Sequence, residues 1–376
     1  MPVTARQLNR ATLGRQLLLE RQPITPVDAM RNVVALQAQE PPSPYLALWN
    51  RIVGFDATTL DDAFDTHAIV KAQLMRITLH AVAAADYPAF HEAMVPSLRA
   101  ARLYDRRFTA EGVSIEEVEK LTPDLLAFTG EPRRNADVEA WLADRFGGPK
   151  PRVWWALRHY SPIVHAPTGG PWSFGPRPTY VTAPELDRPG DETASVAALV
   201  RRYLEGFGPA TMQDIAQFGT IYRPPVQTAI RALGDELVRL EGPRGVQLLD
   251  VPGGLLPPED TPAPPRLMAM WDSALLAYLD RSRIIPPDYR KVVMRSNGDV
   301  LPTLLVDGQV AGVWRLLDGR IEATAFHKLA KGDWAGLEDE ARALSAFLAE
   351  RDPKVYGRYA RWWNDLPGAE VRLLGG

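Results

Sequence analysis

The chain has 376 residues, of which 46% are hydrophobic and 24% are charged, and its formal net charge is -3. This length allows two or three domains with a substantial buried core, and the slightly negative charge argues against a uniformly basic nucleic-acid-binding protein. The sequence contains no cysteine, which excludes disulfides, thiolate catalysis and zinc sites built on cysteine.

The first hundred residues predict short helices followed by two strands. A capping box around Pro26 starts a helix, and Pro41 and Pro42 should end it at about Gln39. Short helices followed by a hairpin are the order of a winged helix, although the spacing allows other small α+β folds. The remaining elements predicted here are helices over 45–53 and 60–66 and strands over 68–72 and 74–82.

The same order of helices and a hairpin recurs twice, without a strict sequence repeat. In the second copy two predicted strands flank a turn-rich, basic and aromatic tip at residues 168–175. The third copy has the clearest signals, because Thr211 begins a capping box and Gly219 ends the helix that follows. The predicted helices begin at Asn135, 152, 196, 211 and 225, and the predicted strands cover 162–166, 178–182, 237–240 and 246–249.

Five prolines between residues 257 and 265 predict an extended linker. Strands and Asp-Gly turns follow it, and an amphipathic helix over 337–350 closes the chain. We therefore predict an α+β fold with three winged-helix units and a strand-rich C-terminal region packed on the third unit. The predicted boundaries are 1–108, 109–190, 191–256 and 257–376, and the predicted C-terminal strands cover 266–271, 300–306, 309–315 and 320–326.

Two glutamines stand where the first long helix should unwind. Residues two apart point to nearly opposite sides of a helix but share a side in an extended chain, so Gln37 and Gln39 can converge there. Each amide offers two donors and two acceptors without titrating, which suits a water molecule, a sugar or a base edge. The alternative is that both are solvent-facing residues at a helix end, because Gln-x-Gln is a weak pattern.

Basic residues provide a second signal. If residues 74–82 form a strand, Arg76, Thr78 and His80 share one face and can contact phosphate or sugar beside the glutamines. Asp272 and the Arg281-Ser282-Arg283 run can likewise contact substrate or form surface salt bridges. Only 7 of the 43 basic residues are lysine, and arginine suits bidentate phosphate contacts. Base composition of the source genome is the alternative explanation for the arginine enrichment.

No phosphate-binding loop, dinucleotide fingerprint, Ser-His-Asp signature or zinc motif is present in the sequence. The six histidines are scattered and match no known ligand spacing, so we expect neither a metal site nor another cofactor. The N-terminal sequence lacks the pattern of a signal peptide, and no apolar run reaches 18 residues. We therefore predict a cytoplasmic protein without a membrane span.

Together, these segments resemble the winged-helix DNA glycosylases that unhook interstrand crosslinks. The resemblance covers nearly the whole chain and rests on Leu36-Gln37-Ala38-Gln39 and Arg76-Ile77-Thr78-Leu79-His80. It also includes Trp271-Asp272, Asp280 to Arg283, and Thr303 to Arg315. Within the family the chain is most similar to the azinomycin-resistance branch, which has two glutamines where a related branch has Gln-x-Asp. Because position 39 is a glutamine, this sequence differs from the Gln-x-Asp branch, in which the aspartate carboxylate could act as a base.

The resemblance implies a C-shaped monomer whose central channel holds double-stranded DNA with alkylated or crosslinked guanine. It implies monofunctional hydrolysis of the N-glycosidic bond of N7-alkylguanine, with no lyase activity, and self-resistance to a DNA-alkylating antibiotic. The catalytic residues would be Gln37 and Gln39. The expected DNA contacts are Arg76, Thr78, His80, Arg281 and Arg283, and a hairpin over 306–313 is the candidate for gripping the duplex.

Two other functions fit the same pattern. Winged helices most often read operators, so the chain could be a non-enzymatic transcriptional regulator. Regulators usually dimerise on symmetric sites, whereas three winged units in one chain can surround DNA as a monomer. A protein that sequesters free azinomycin without acting on DNA is the third possibility.

Overall fold

The computed structural model describes residues 2–184 and 191–375. It has an α+β fold with a strand-rich C-terminal region, as predicted. The helices are α1 Ala5–Arg15, α2 Pro26–Val33, α3 Pro42–Trp49, α4 Ala57–Asp65, α5 Tyr87–Leu103, α6 Arg106–Thr109, α7 Ile115–Phe128, α8 Asn135–Arg145, α9 Pro151–Tyr160, α10 Glu192–Phe207, α11 Met212–Gly219, α12 Arg223–Leu233, α13 Ser273–Leu276, α14 Arg290–Val293 and α15 Lys331–Arg351. Among the described residues, no helix combines the length and the apolar character needed to cross a membrane.

The strands form three antiparallel sheets in the described part of the chain. The six-stranded sheet has the order β1-β3-β2-β5-β6-β4, the five-stranded sheet has the order β13-β12-β11-β10-β9, and β7 pairs with β8. The strands are β1 Leu36–Gln37, β2 Ile69–Gln73, β3 Leu79–Ala83, β4 Arg133–Arg134, β5 Ile163–Ala166, β6 Thr179–Thr182, β7 Val238–Glu241, β8 Gln247–Asp250, β9 Arg266–Leu267, β10 Thr303–Val306, β11 Gln309–Leu317, β12 Arg320–Ala325 and β13 Glu370–Leu374.

The hairpins predicted for the first two units are present as β2–β3 and β5–β6. They are joined into one sheet, because Lys71 of β2 lies opposite His165 of β5. The hairpin of the third unit, β7–β8, is separate. The winged-helix description, the C shape and the four domain boundaries remain predictions.

Two predictions near the glutamines are wrong. The first long helix ends at Val33 and not at Gln39, because the chain turns at Val34 and then joins the six-stranded sheet. The strand predicted over 74–82 begins only at Leu79, since Arg76 and the residue after it have φ values of 54° and 57°. Those left-handed conformations cannot continue a strand, so the predicted shared strand face of residues 76, 78 and 80 does not exist.

The C-terminal region shares its largest apolar core with the first hundred residues. Leu46 of α3, Trp314 of β11 and Leu344 of α15 are all fully buried in this core. The region also contacts residues of the predicted third unit, since the Tyr278 hydroxyl donates a hydrogen bond to the Phe207 carbonyl at 2.7 Å. The predicted packing on the third unit is therefore only part of the arrangement, and β13 was not predicted.

The hairpin proposed to grip DNA is packed against the protein. Arg10 and Asn9 of α1 donate hydrogen bonds to the carbonyls of Asp307 and Gly308 at 3.0 and 2.8 Å, respectively. A side chain at Gly308 would lie only 2.5 Å from a methyl carbon of Leu13. This turn is therefore held on α1, and its contact with DNA remains a prediction.

Candidate active site

A strained turn aims the first glutamine. Val34 has φ 71° and ψ -56°, and the Ala35 amide donates a hydrogen bond to the Val33 carbonyl at 2.8 Å. These values define a γ-turn, which is unfavourable for a β-branched residue. Gly206 of α10 makes the turn possible, since a Cβ there would lie 2.5 Å from a methyl carbon of Val34. The direction of β1 therefore depends on a helix far away in sequence.

After the turn, β1 pairs with β3. Gln37 lies opposite His80, and the Ala38 amide donates a hydrogen bond to the Leu79 carbonyl at 2.8 Å. Side chains of directly opposed residues lie on the same face of a sheet, so Gln37 and His80 are neighbours. Gln37 is only 6% exposed and His80 is fully buried.

Arg76 connects these two side chains. Its Nη2 donates a hydrogen bond to Oε1 of Gln37 at 3.2 Å and lies 3.2 Å from Nε2 of His80. The other ring nitrogen of His80, Nδ1, is 3.1 Å from the Thr78 carbonyl. A carbonyl only accepts and a guanidinium only donates, so Nδ1 carries the proton and the ring is neutral. Burial, followed by the charge of Arg76, holds the pKa of His80 well below its ordinary value.

Arg76 itself is a cation without a carboxylate partner. Among residues 2–184 and 191–375, no acidic side chain forms an ion pair with it, and its Nη1 is buried without a hydrogen-bond partner. Burial, with the nearby charge of Arg281 as the second cause, lowers the pKa of Arg76 to about 10. An uncompensated cation of this kind attracts an anion, and the predicted contact of Arg76 with phosphate remains a prediction.

The other predicted DNA contacts differ in what they touch. Arg281 lies near Arg76, donates to the sulfur of Met294 at 3.0 Å, and has a pKa lowered by burial and then by Arg290. Arg283 packs 3.9 Å from the ring centre of Tyr278 and donates to backbone and hydroxyl oxygens. The Thr78 hydroxyl donates to the Met75 carbonyl at 3.1 Å and so stabilises the turn that carries Arg76.

Asp272 is neither a substrate contact nor part of a surface salt bridge. Its side chain is 0% exposed and receives two hydrogen bonds from Arg51 at 2.8 and 2.9 Å. It also accepts a hydrogen bond from the Ala274 amide at 3.0 Å and so caps α13. This ion pair joins the first helices to the C-terminal region.

Gln39 has a different environment from Gln37. It is exposed and lines an open cleft with a volume of about 930 Å³. In the described parts of the chain, no hydrogen bond joins the two glutamines, so the structure does not bring their amides into direct contact. The cleft lies between strands of the six-stranded sheet and the C-terminal segment, and the side of the sheet facing it includes Lys71, Gln73, Leu79, His165 and Tyr180.

Buried polar groups line this cleft, and the sequence did not identify them. Burial lowers the pKa of Lys71 to about 8, and its Nζ lies 4.4 Å from the ring centre of Phe174. His165 is half-buried opposite Lys71, and its pKa is lowered, chiefly by desolvation. Oε1 of Gln73 is buried and lacks a hydrogen-bond partner among the described residues. The sequence signal for these residues was the period of two in β2, which places Lys71 and Gln73 on the same face of the sheet.

A comparison with protein families identifies the chain. The family model described as "DNA glycosylase AlkZ-like" matches residues 30–347, which include both glutamines and the part of the cleft formed by the six-stranded sheet. The chain belongs to the AlkZ-like DNA glycosylase family. It is therefore an enzyme of the DNA glycosylase class.

A curated protein and a solved structure, both from Streptomyces sahachiroi, are similar to this AlkZ-like glycosylase. One is a curated protein named "Interstrand DNA cross-link repair glycosylase", which is 22% identical over 362 residues and matches 91% of this chain and 95% of its own length. The other is the solved structure of "DNA glycosylase AlkZ", which has a TM-score of 0.78 and 19% identity. That match covers 92% of this chain and 96% of the other and supports the same fold.

Proposed function

We propose that this AlkZ-like glycosylase hydrolyses the N-glycosidic bond of N7-alkylguanine in double-stranded DNA. Its substrates would include interstrand crosslinks of the azinomycin type, so that the enzyme gives self-resistance to a DNA-alkylating antibiotic. The observation that carries the proposal is Gln39, which is exposed in an open cleft two residues after Gln37, whose amide accepts a hydrogen bond from the uncompensated cation Arg76. The name of the curated relative, which specifies crosslink repair, supports the choice of substrate.

The chemistry suits uncharged amides. An N7-alkylguanine already carries positive charge, so it can leave without being protonated, and the sugar becomes oxocarbenium-like. The protein must then supply an oriented water molecule and an electrostatic environment for positive charge on the sugar. We assign Gln39, which is exposed in the cleft, to water binding. The side chain of Gln37 lies with His80 on the sheet face opposite to the cleft, so its assigned contact with the deoxyribose or the same water requires the substrate to reach around the edge strand β1.

The open cleft fits a crosslinked substrate. A guanine tied to the opposite strand cannot rotate freely out of the duplex, so an enclosed base pocket would not admit it. The cleft volume of about 930 Å³ lies at the upper end of ligand pockets, which span roughly 300–1,000 Å³. Arg76 and Arg281 are assigned to phosphates next to the lesion, and the enzyme is expected to act as a monomer on duplex DNA.

The test is base excision from a duplex with a single N7-methylguanine. The protein should release the free base and leave an abasic site, which alkali then converts into a strand break at that position. Without alkali the strand should stay intact, because no lyase activity is expected. Tight binding to one unmodified sequence without base release would instead identify a transcriptional regulator, and binding of free azinomycin alone would identify a sequestering protein.

A further inference from the structure

The residue that follows the glutamine pair is a carboxylate that faces the same cleft. Glu40 lies between Gln39 and Pro41, and its side chain is 12% exposed. It lines the cleft together with Gln39 and Lys71. Proline after Glu40 fixes the chain direction, so the side chains of residues 39 and 40 enter the cleft region from adjacent positions.

The C-terminal segment holds this carboxylate by one oxygen. The Tyr359 hydroxyl donates a hydrogen bond to Oε1 of Glu40 at 2.9 Å, and the Arg358 guanidinium donates to the same oxygen. Tyr359 is in turn held by Trp271, whose ring packs edge-on at 5.6 Å between centres. Two donors from one direction fix the orientation of the carboxyl plane.

The second oxygen is not engaged. Within residues 2–184 and 191–375, no hydrogen bond reaches Oε2 of Glu40, and this atom is not among the buried polar atoms that lack partners. It is therefore a solvent-accessible acceptor on an otherwise fixed carboxylate. A carboxylate oriented through one oxygen, with the other free, has the arrangement required of a general base.

We propose that Glu40 is the general base of the reaction, with its Oε2 accepting a proton from the attacking water. This proposal rests on the proposed function. The C1′–N9 bond breaks and its electron pair neutralises the cationic base, while the water oxygen forms a bond to C1′ and its proton moves to Glu40. Gln39 orients the same water, and Tyr359 and Arg358 are positioning residues.

A carboxylate contributes two electrostatic effects that the amides of Gln37 and Gln39 cannot provide. A carboxylate is negatively charged, so it stabilises an oxocarbenium-like sugar more strongly than an amide oxygen does, and it can remove the proton that an amide cannot. Burial raises the pKa of Glu40 above its ordinary value, which makes the carboxylate a stronger base. The hydrogen bond from Tyr359 and the charges of Arg358 and Lys71 oppose that rise, and Asp299 adds to it.

The experiment is single-turnover release of N7-methylguanine from duplex DNA as a function of pH. E40Q should lower the rate at pH 7.5 by about 100-fold or more, in the range of general-base effects. The wild-type rate should fall as the pH drops through the raised pKa of Glu40, and this acidic limb should be absent from E40Q. Glu116→Gln is the matched control, because Glu116 is 78% exposed on α7, and its rate should equal that of the wild type.

A second variant covers the case in which E40Q is unstable. Tyr359→Phe removes one donor that lowers the pKa of Glu40, so the acidic limb should move to higher pH. A purely structural role would not move the limb. An active wild type with E40Q within threefold of its rate, or with an unmoved limb in Tyr359→Phe, would overturn the assignment of Glu40 alone. A wild type that releases no base would overturn the proposed function, and this assignment with it.

Discussion

Replacing Arg76 with methionine should separate catalysis from stability. Burial of its charge is unfavourable, because the difference between the ordinary pKa of 12.5 and about 10 in the folded protein corresponds to about 3 kcal/mol. Methionine removes this cost. It also removes the contacts of Nη2 with Gln37 and His80, both at 3.2 Å. At about 1.5 kcal/mol for each long, charge-assisted hydrogen bond, the loss is about 3 kcal/mol.

The two contributions nearly cancel, so the free energy of unfolding of Arg76→Met should lie within about 1 kcal/mol of the wild-type value. The rate of base excision should nevertheless fall by about 10- to 100-fold, because the Gln37 amide loses the donor that orients it. Urea denaturation and single-turnover excision on the same preparations measure the two quantities. Arg134→Met is the control, since Arg134 is 71% exposed and, among the residues that the structure describes, forms an ion pair only with Asp137, and it should change neither.

A loss of more than about 3 kcal/mol in Arg76→Met would show that the cation is well compensated in the folded state and is mainly structural. An unchanged excision rate in Arg76→Met would refute the catalytic part of the prediction. In that case the link between Arg76 and Gln37 would have no catalytic importance.

Three further substitutions test the architecture around the site. Asp272→Ala leaves the buried Arg51 unpaired and should lower the free energy of unfolding by about 3–5 kcal/mol, measured in urea, whereas a loss below about 1 kcal/mol would contradict the buried ion pair. Gly206→Ala, which places a methyl group against the turn before β1, should cost about 1–3 kcal/mol and lower excision, while Gly332→Ala, in open space on α15, should be neutral or stabilising. Lys71→Met should stabilise the protein at pH 7 by at most about 3 kcal/mol, because the lowered pKa of Lys71 means that its charged form is disfavoured in the folded protein. This gain in the free energy of unfolding should shrink as the pH rises from 8 to above 10, and a gain independent of pH would contradict the reasoning.

Local signals in the sequence predicted two helix starts and one helix stop correctly. Thr25 and Thr211 both cap helices as predicted, with their hydroxyls accepting hydrogen bonds from the amides of Asp28 and Asp214 at 3.1 Å. Gly219 is the last residue of its helix, as predicted. These signals succeed because each motif supplies its own hydrogen bonds within a few residues.

The errors arise where distant contacts override local preference. Val34 leaves the helical conformation because Gly206 leaves room for its side chain and because β3 offers a pairing partner for β1. No local rule predicts a γ-turn at valine. Glu40 was missed for the same reason, since its two partners lie 318 and 319 residues further along the chain.

The candidate site was therefore predicted in part. The sequence singled out Gln37, Arg76 and His80, and the structure brings these three together, although through a left-handed turn and not through a shared strand face. The amphipathic strand β2 gave a weak signal for Lys71, but burial and pairing were needed to place it in the cleft. The role of each residue in catalysis remains a prediction.

The most direct test of the central claim uses a duplex carrying one azinomycin interstrand crosslink. Denaturing electrophoresis follows the conversion of crosslinked DNA into separated strands by the wild type and by the Gln37→Ala, Gln39→Ala double variant, with folding of both checked by circular dichroism. Wild-type protein should unhook the crosslink, and the folded double variant should do so more than about 100-fold more slowly. Full activity in the double variant would contradict the assignment of the two glutamines.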